Sequence, residues 1–168
     1  MKKKLYIETS VWNQLEHDDR PDWHESAFKF IETLKQGSYE TYVSNIVIEE
    51  IGMTRDDTLR QKLFDHIRII APFILEFDDE SKELTKKYMK ADFISSAALN
   101  VYNDSSHVAI ATVNRINHIV SYNFKHLVKD RRIDGFNGVN LLNGYDHTID
   151  ITTPERFIDL PETTGLLL

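Results

Sequence analysis

The 168-residue sequence contains no cysteine and no long apolar run. Without cysteine it has neither a disulfide framework nor thiolate ligands for a zinc ion. No apolar run approaches the length that crosses a bilayer. The lysines at residues 2–4 carry the charge of a signal peptide, but Glu8 and Thr9 interrupt the apolar segment that should follow. We therefore predict a cytoplasmic protein that does not enter the membrane.

An excess of basic residues is also missing, because the formal net charge is −7. General nucleic-acid coat proteins usually carry a basic face, so the composition argues against that class. An enzyme that acts on nucleic acid stays compatible with the charge. Carboxylates that hold divalent cations count as negative in the sequence, and the bound metal ions offset them.

The distribution of apolar residues predicts an α/β fold. The composition, 41% hydrophobic and 28% charged, is typical of a globular domain, and the length indicates one domain over residues 1–168. Short apolar runs predict strands at residues 5–7, 39–43, 73–77 and 118–122. Amphipathic segments with helical spacing separate them, as at residues 23–34 and 59–70. This alternation predicts a central parallel sheet covered by helices on both faces, a three-layer α/β/α sandwich.

The second half of the chain gives weaker patterns. Residues 92–103 are ambiguous between a short helix and a loop. Asp104 is expected to begin the next helix as its N-cap. Residues 130–138 are polar and are predicted to form a loop, and residues 139–142 are predicted to form a last short strand.

Four polar residues are predicted to meet at one edge of the sheet. Glu8 directly follows the first strand, and Asn123 follows the strand at residues 118–122. Glu50 and Asp104 lie on or at the start of the helices that come after strands. Ligands of open parallel sheets bind at the carboxyl ends of the strands, so we take these four residues as the candidate site.

Helical geometry separates Glu50 from its neighbour Glu49. Each helical residue turns by about 100°. Relative to the apolar residues of its helix, Glu50 lies on the border of the buried face, whereas Glu49 points away from it. Glu50 is therefore the functional candidate, and Glu49 is expected to face solvent.

Each candidate also fits a purely structural role. Glu8 fits a solvated loop carboxylate, Asp104 an N-cap before two serines, and Asn123 a turn residue. His107 lies among small residues and is expected to be a packed, hydrogen-bonded histidine rather than a metal ligand. The choice between the roles depends on whether the residues converge.

A converged cluster of carboxylates favours a divalent cation. Three carboxylates without basic partners repel one another and raise one another's pKa values, and an oxygen-liganded cation removes that conflict. Carboxylate, amide and water ligands suit Mg²⁺ or Mn²⁺. Such a site activates water for phosphodiester hydrolysis. The basic residues nearby either hold a phosphate backbone or form an ordinary solvated helix surface; they are Lys125, His126, Lys129, Arg131 and Arg132.

Several short segments resemble the motifs of the PIN-domain family, in particular its VapC-type toxin-like members. Residues 6–11, Tyr-Ile-Glu-Thr-Ser-Val, look like the opening motif, a strand that ends in an acid before Thr-Ser. Residues 43–51 are similar to the second motif, whose functional glutamate precedes Leu or Ile and corresponds to Glu50. Residues 104–111, Asp-Ser-Ser-His-Val-Ala-Ile-Ala, resemble the third motif. Residues 120–127 look like a fourth motif with Asn123 in place of the more usual Asp. Residues 144–145 and 151–155 are similar to the tail of one subfamily.

The resemblance implies an activity and partners. It implies a Mg²⁺- or Mn²⁺-dependent endoribonuclease that hydrolyses single-stranded RNA, with Glu8, Glu50, Asp104 and Asn123 as catalytic and metal-binding residues. For toxin members it also implies a small antitoxin protein and a homodimer. Two positions depart from the family pattern: Glu8 replaces the commoner Asp and reaches one methylene further, and Asn123 removes one negative charge. Ser10 and Ser121 are expected to donate hydrogen bonds to the metal-binding residues.

Two further hypotheses come from other classes. The acidic net charge and Asn123 are compatible with a PIN-fold protein-binding module whose catalysis is weak or lost. A phosphohydrolase with a strand-end nucleophile is a third reading, but such enzymes usually carry Asp where this chain has Glu8.

Overall fold

A computed structural model describes residues 1–95 and 98–158 of the chain. The described strands form one parallel sheet with the order β3-β2-β1-β4-β5. They are β1 (Lys3–Ile7), β2 (Tyr39–Ser44), β3 (Phe73–Leu75), β4 (His118–Val120) and β5 (Asp150–Thr152). The described helices are α1 (Thr9–Gln14), α2 (Pro21–Lys35), α3 (Asn45–Gly52), α4 (Asp57–Ile70), α5 (Asp79–Met89), α6 (Leu99–Val113) and α7 (Asp130–Leu142), followed by a short 3₁₀ turn (Pro154–Phe157).

The predicted α/β/α sandwich is confirmed. Helices α1, α2 and α4 pack together, and α5 packs against both α6 and α7. The core between the layers is continuous and includes the fully buried Leu5, Tyr6 and Ile7 of β1. Within the described ranges, no helix combines the length and the apolar character needed to span a bilayer.

The strand order creates a crevice at the centre of the sheet. The chain moves outward from β1 through β2 to β3, and then returns to place β4 on the other side of β1. At such a point the connections after neighbouring strands diverge to opposite faces, which leaves a cleft at their carboxyl ends. Glu8 comes directly after β1, and Ser121 comes directly after β4. The topology therefore places both at the cleft.

The predicted start of the helix at Asp104 is wrong. Helix α6 begins at Leu99, so Asp104 lies inside it, and Ala98 is the N-cap residue. The run Asp-Ser-Ser has the composition of a cap, but the preceding residues are already helical, and the helix is buried on most sides from Asp104 to Thr112. Small side chains such as Ser105 and Ala109 permit that close packing. Residues 96–97, within the ambiguous stretch at 92–103, lie outside the described residues.

The predicted loop at residues 130–138 and strand at residues 139–142 are also wrong, because both belong to α7. Gly135 and Gly138 weaken the helical signal, since glycine lowers helix propensity. The buried face of α7 moreover carries a polar residue, Asn140. Its side chain hydrogen-bonds the buried hydroxyls of Tyr88 and Thr112, which replaces the apolar contact that periodicity would detect. The last strand is instead β5.

Candidate metal centre and active site

Glu8 is fixed by hydrogen bonds from both sides of the cleft. Its backbone N–H donates to Val120 of β4 at 3.0 Å, which continues the strand pairing beyond β1. Its carboxylate caps α1 by accepting from the N–H of Ser10 at 3.1 Å. The hydroxyls of Ser10 and Ser121 also donate to the same oxygen, Oε2, with Ser121 at 2.8 Å. Within the described residues no donor contacts Oε1, so that oxygen is free to serve as a ligand.

The same two serines connect β4 to the start of α1. The Ser10 hydroxyl accepts from the N–H of Tyr122 at 2.9 Å, and the Ser121 hydroxyl accepts from the N–H of Asn123 at 2.9 Å. Ser10 and Ser121 donate hydrogen bonds to Glu8, as the sequence led us to expect, while the metal-binding role of Glu8 stays a prediction.

Glu50 is held by a buried polar chain that begins at the second strand. The Tyr6 hydroxyl lies 2.7 Å from Ser44 Oγ and 2.6 Å from His107 Nδ1. The other ring nitrogen of His107, Nε2, donates to Glu50 Oε1 at 2.6 Å. Thr9 donates to the same oxygen at 3.1 Å. The chain therefore fixes the carboxylate of Glu50, whose charge acts on Asp104.

His107 and Glu50 stabilise each other's charged forms, with His107 Nε2 and Glu50 Oε1 2.6 Å apart. Burial opposes charge on His107, but the hydrogen bond and charge of Glu50, together with Glu8 and Asp104, raise the pKa of the imidazole. Burial likewise raises the pKa of Glu50, and the hydrogen bond and charge of His107 outweigh it and lower that pKa. His107 is fully buried and hydrogen-bonded, as the sequence predicted, and its raised pKa favours the positive form that would offset the charge of Glu50.

Asp104 forms no ion pair among the described residues, although its charge and those of His107 and Arg132 act on one another. Its side chain is 9% exposed. Burial and the charge of Glu8 raise the pKa of Asp104 to about 6, although His107 and a hydrogen bond from Asn123 act in the opposite direction. Asp104 therefore resists ionisation in the metal-free protein, which is the behaviour of a carboxylate whose counter-charge is missing.

Asn123 acts on Asp104 through its amide. Its Oδ1 accepts from the N–H of His126 at 3.0 Å and closes the turn after β4, while its side chain hydrogen-bonds Asp104. The observed contacts position Asp104. A role as a metal ligand stays a prediction, since Oδ1 would have to share its hydrogen bond with the metal.

The donor chemistry fits a hard divalent cation. Three carboxylates and one imidazolium leave an excess of negative charge around Glu8 and Asp104. Across residues 1–95 and 98–158, no three His, Asp or Glu side chains are already arranged as a metal-holding group. Mg²⁺ is usually bound through one or two carboxylates, with water completing its octahedron. Glu8 and Asp104 supply that number.

Sequence reasoning missed two of the residues that orient Glu50. They are Tyr6, which acts through His107, and Thr9, and their partners lie far away in the chain. It also missed an aromatic cluster beside Asn123. Trp23 stacks on Tyr122 with ring centroids 4.9 Å apart and on Phe124 at 5.3 Å. Trp23 is partly exposed, so it is not a core residue like the fully buried Trp12.

Comparison with known proteins supports the fold. No family model and no curated protein matches the chain. The structure is similar to the crystal structure of FitAcB from Neisseria gonorrhoeae, with a TM-score of 0.56 and 13% sequence identity. The similarity covers 89% of this chain and 97% of that chain. At this identity it shows the fold, which is PIN-like.

Proposed function

We propose that this chain is a Mg²⁺- or Mn²⁺-dependent endoribonuclease of PIN type that hydrolyses single-stranded RNA. The observation that carries the proposal is the pair of buried carboxylates, Glu8 and Asp104, at the central cleft of a PIN-like sheet without enough positive charge to balance them. In a purely structural site, the repulsion between these two carboxylates would only destabilise the fold. In a metal site, the same negative charge attracts the divalent cation.

The residues of the site would have different roles in binding the cation. Glu8 and Asp104 would hold the cation, and Glu50 would lie across the cleft from them in its ion pair with His107. When bound, the cation supplies Lewis-acid activation of water and offsets the negative charge of the phosphodiester. Ser10 and Ser121 fix the rotamer of Glu8, because three donors converge on its Oε2. Ligand orientation of this kind typically changes metal affinity or activity by about 10- to 100-fold.

The test is cleavage of a mixed-sequence single-stranded RNA by purified protein with Mg²⁺, with Mn²⁺ and with EDTA. The variant Asp104→Asn removes the charge and keeps the shape of the side chain. The matched control is Glu49→Gln, a neighbouring carboxylate that faces solvent. We expect metal-dependent cleavage that Asp104→Asn abolishes and Glu49→Gln retains. Equal turnover by Asp104→Asn and the wild type contradicts the assignment.

One observation favours a second candidate, a PIN-fold binding module with a silent site. Within the described part of the chain, no three acidic or histidine side chains form a ready-made metal group. This candidate predicts weak Mn²⁺ binding in calorimetric titration and no cleavage of any RNA. Tight Mn²⁺ binding by the wild type, lost in Asp104→Asn, would rule it out.

The resemblance to toxin-like members also leads us to propose a small antitoxin protein as partner, and a homodimer. Co-purification of the chain with the product of an adjacent gene tests the first proposal, and light scattering tests the second. Both are independent of the cleavage assay, because either assembly can form around a silent site.

A further inference from the structure

A small cavity lies beside the first turn of α7. Its volume is about 160 Å³, and its lining consists of Phe93, Ser95, Lys129, Arg131 and Arg132. Pockets for drug-sized ligands usually measure about 300–1,000 Å³. This cavity is therefore too small for a whole nucleotide and suits a group of the size of a phosphate.

The cations around this cavity have no carboxylate partners among the described residues. The described ion pairs include none with Lys125, Lys129, Arg131 or Arg132, although the chain has a net charge of −7. Asp130 and Asp134 lie on the same helix but do not form ion pairs with them. Four neighbouring basic side chains that form no ion pair with a carboxylate of an acidic protein make a surface suited to an external anion.

These cations act on one another and on the catalytic cleft. Burial lowers the pKa of Arg132, and the charge of Arg131 lowers it further, while Asp104 is the carboxylate that acts in the opposite direction. Burial and the charges of Arg132, Lys125 and Lys129 lower the pKa of His126. Arg132 is therefore close enough to Asp104 to feel its charge. Asn123 hydrogen-bonds both Asp104 and the backbone of His126, so the turn after β4 connects the cleft to this basic group, and the cavity lies beside the cleft.

Arg132 has an unpartnered donor at this place. Its Nη1 is buried and has no hydrogen-bond partner within the described residues. A buried donor without a partner costs free energy, so such a group requires an explanation. The guanidinium presents its N–H groups in a planar fork that matches two oxygens of a phosphate.

We infer that this cavity binds a phosphodiester group of the RNA strand that occupies the neighbouring cleft. Arg132 donates hydrogen bonds to its oxygens, and Lys129 and Arg131 add charge from the rim. The group bound here belongs to a nucleotide beside the bond at Asp104 and not to that bond itself. The inference rests on the proposed nuclease function, because it names the part of the substrate that the basic group contacts.

The test is binding, which is measured apart from cleavage. Fluorescence anisotropy follows a short fluorescein-labelled single-stranded RNA of mixed sequence in Ca²⁺ and in EDTA over a series of salt concentrations. We expect Arg132→Gln to bind about 10-fold more weakly. A lost phosphate contact on a single strand should also reduce the slope of log affinity against log salt by about 0.7. Arg132→Lys keeps the charge without the planar fork of the guanidinium, so its RNA affinity should lie between those of the wild type and Arg132→Gln.

Arg68→Gln is the matched control, because it removes the same charge from an exposed arginine that pairs with Asp65 on α4. It should leave affinity and slope unchanged. Thermal unfolding checks that Arg132→Gln is folded. If that variant is unfolded, the same binding measurement is made with Lys129→Gln, which changes an exposed residue.

The outcomes separate the inference from the proposed function. If Arg132→Gln binds RNA as Arg68→Gln does, or if the wild type does not bind RNA, the inference is overturned, and the cleavage assay still decides the function. A parallel titration with inorganic phosphate tests whether the cavity binds free anions instead of RNA. Phosphate binding that Arg132→Gln loses, with RNA binding unchanged, would show a site for free anions and overturn the assignment to the RNA strand.

Discussion

Replacing Asp104 with asparagine should stabilise the metal-free protein near neutral pH. The pKa of this carboxyl rises from its ordinary value of 3.8 to about 6, chiefly because of burial and the charge of Glu8. That rise corresponds to about 3 kcal/mol of unfavourable free energy when the group is ionised in the folded state. Asparagine keeps the hydrogen-bonding oxygen and removes the charge, so Asp104→Asn should recover up to that amount at pH 7.5.

The sign of the pH dependence follows from the raised pKa. Protonated Asp104 is favoured in the folded state, so its contribution to stability is fully present below pH 3.8 and is lost as the pH rises through about 6. The stability difference between Asp104→Asn and the wild type should therefore be small at pH 4 and reach about 3 kcal/mol above pH 7. For a chain of this length that corresponds to a rise in Tm of roughly 6 to 12 °C.

The assay is urea unfolding in EDTA at several pH values, with Glu49→Gln as the control for loss of one exposed carboxylate. The control should stay within about 0.5 kcal/mol of the wild type at every pH. Adding Mg²⁺ or Mn²⁺ at about 100 times its dissociation constant should stabilise the wild type by about 2.7 kcal/mol and Asp104→Asn by much less. A stability difference that does not change between pH 4 and pH 7.5 would refute the argument that the carboxylates repel one another.

Two further predictions concern the supports of the site. Tyr6→Phe removes the hydroxyl that contacts His107, so we expect a loss of about 1–3 kcal/mol in urea unfolding, together with reduced cleavage; unchanged stability would show that the buried chain does not depend on this hydroxyl. Gly135→Ala would place a methyl group 2.3 Å from the Phe93 ring, whereas the same change at Gly138 meets no atom within 4 Å. Gly135→Ala should therefore destabilise by about 1–3 kcal/mol, and Gly138→Ala should stabilise by up to about 1 kcal/mol; equal effects in thermal unfolding would contradict the packing of Phe93 on α7.

Local patterns predicted the elements that frame the cleft and failed where burial involves polar residues. Leu5, Tyr6 and Ile7, the apolar run that predicted the first strand, are fully buried in β1, and the Ser44 hydroxyl caps α3. Helix α7 was not predicted because its buried face carries Asn140, whose amide forms its hydrogen bonds with side chains of other helices. Such a residue is polar in sequence and buried in structure, so hydrophobic periodicity cannot reveal it.

Helical geometry alone predicted which of the two neighbouring glutamates belongs to the candidate site. Counting 100° per residue from the apolar face separated Glu50 from Glu49, and the structure places Glu50 against Thr9 and His107 while Glu49 is exposed. The same geometry did not indicate that His107 is the charged partner. The two residues are 57 positions apart, and only the packing of α3 against α6 brings them together.

The sequence by itself determined the class of fold and the residues at the carboxyl ends of the strands, because hydrophobic periodicity and turn chemistry act over a few residues and are written locally. Only the tertiary structure decided which charges are balanced. It pairs Glu50 with His107, leaves Asp104 uncompensated beside Glu8, and gathers the cations of α7 around a cavity next to them. Electrostatic balance depends on distance and burial between segments that are remote in the chain, and no local pattern encodes either quantity.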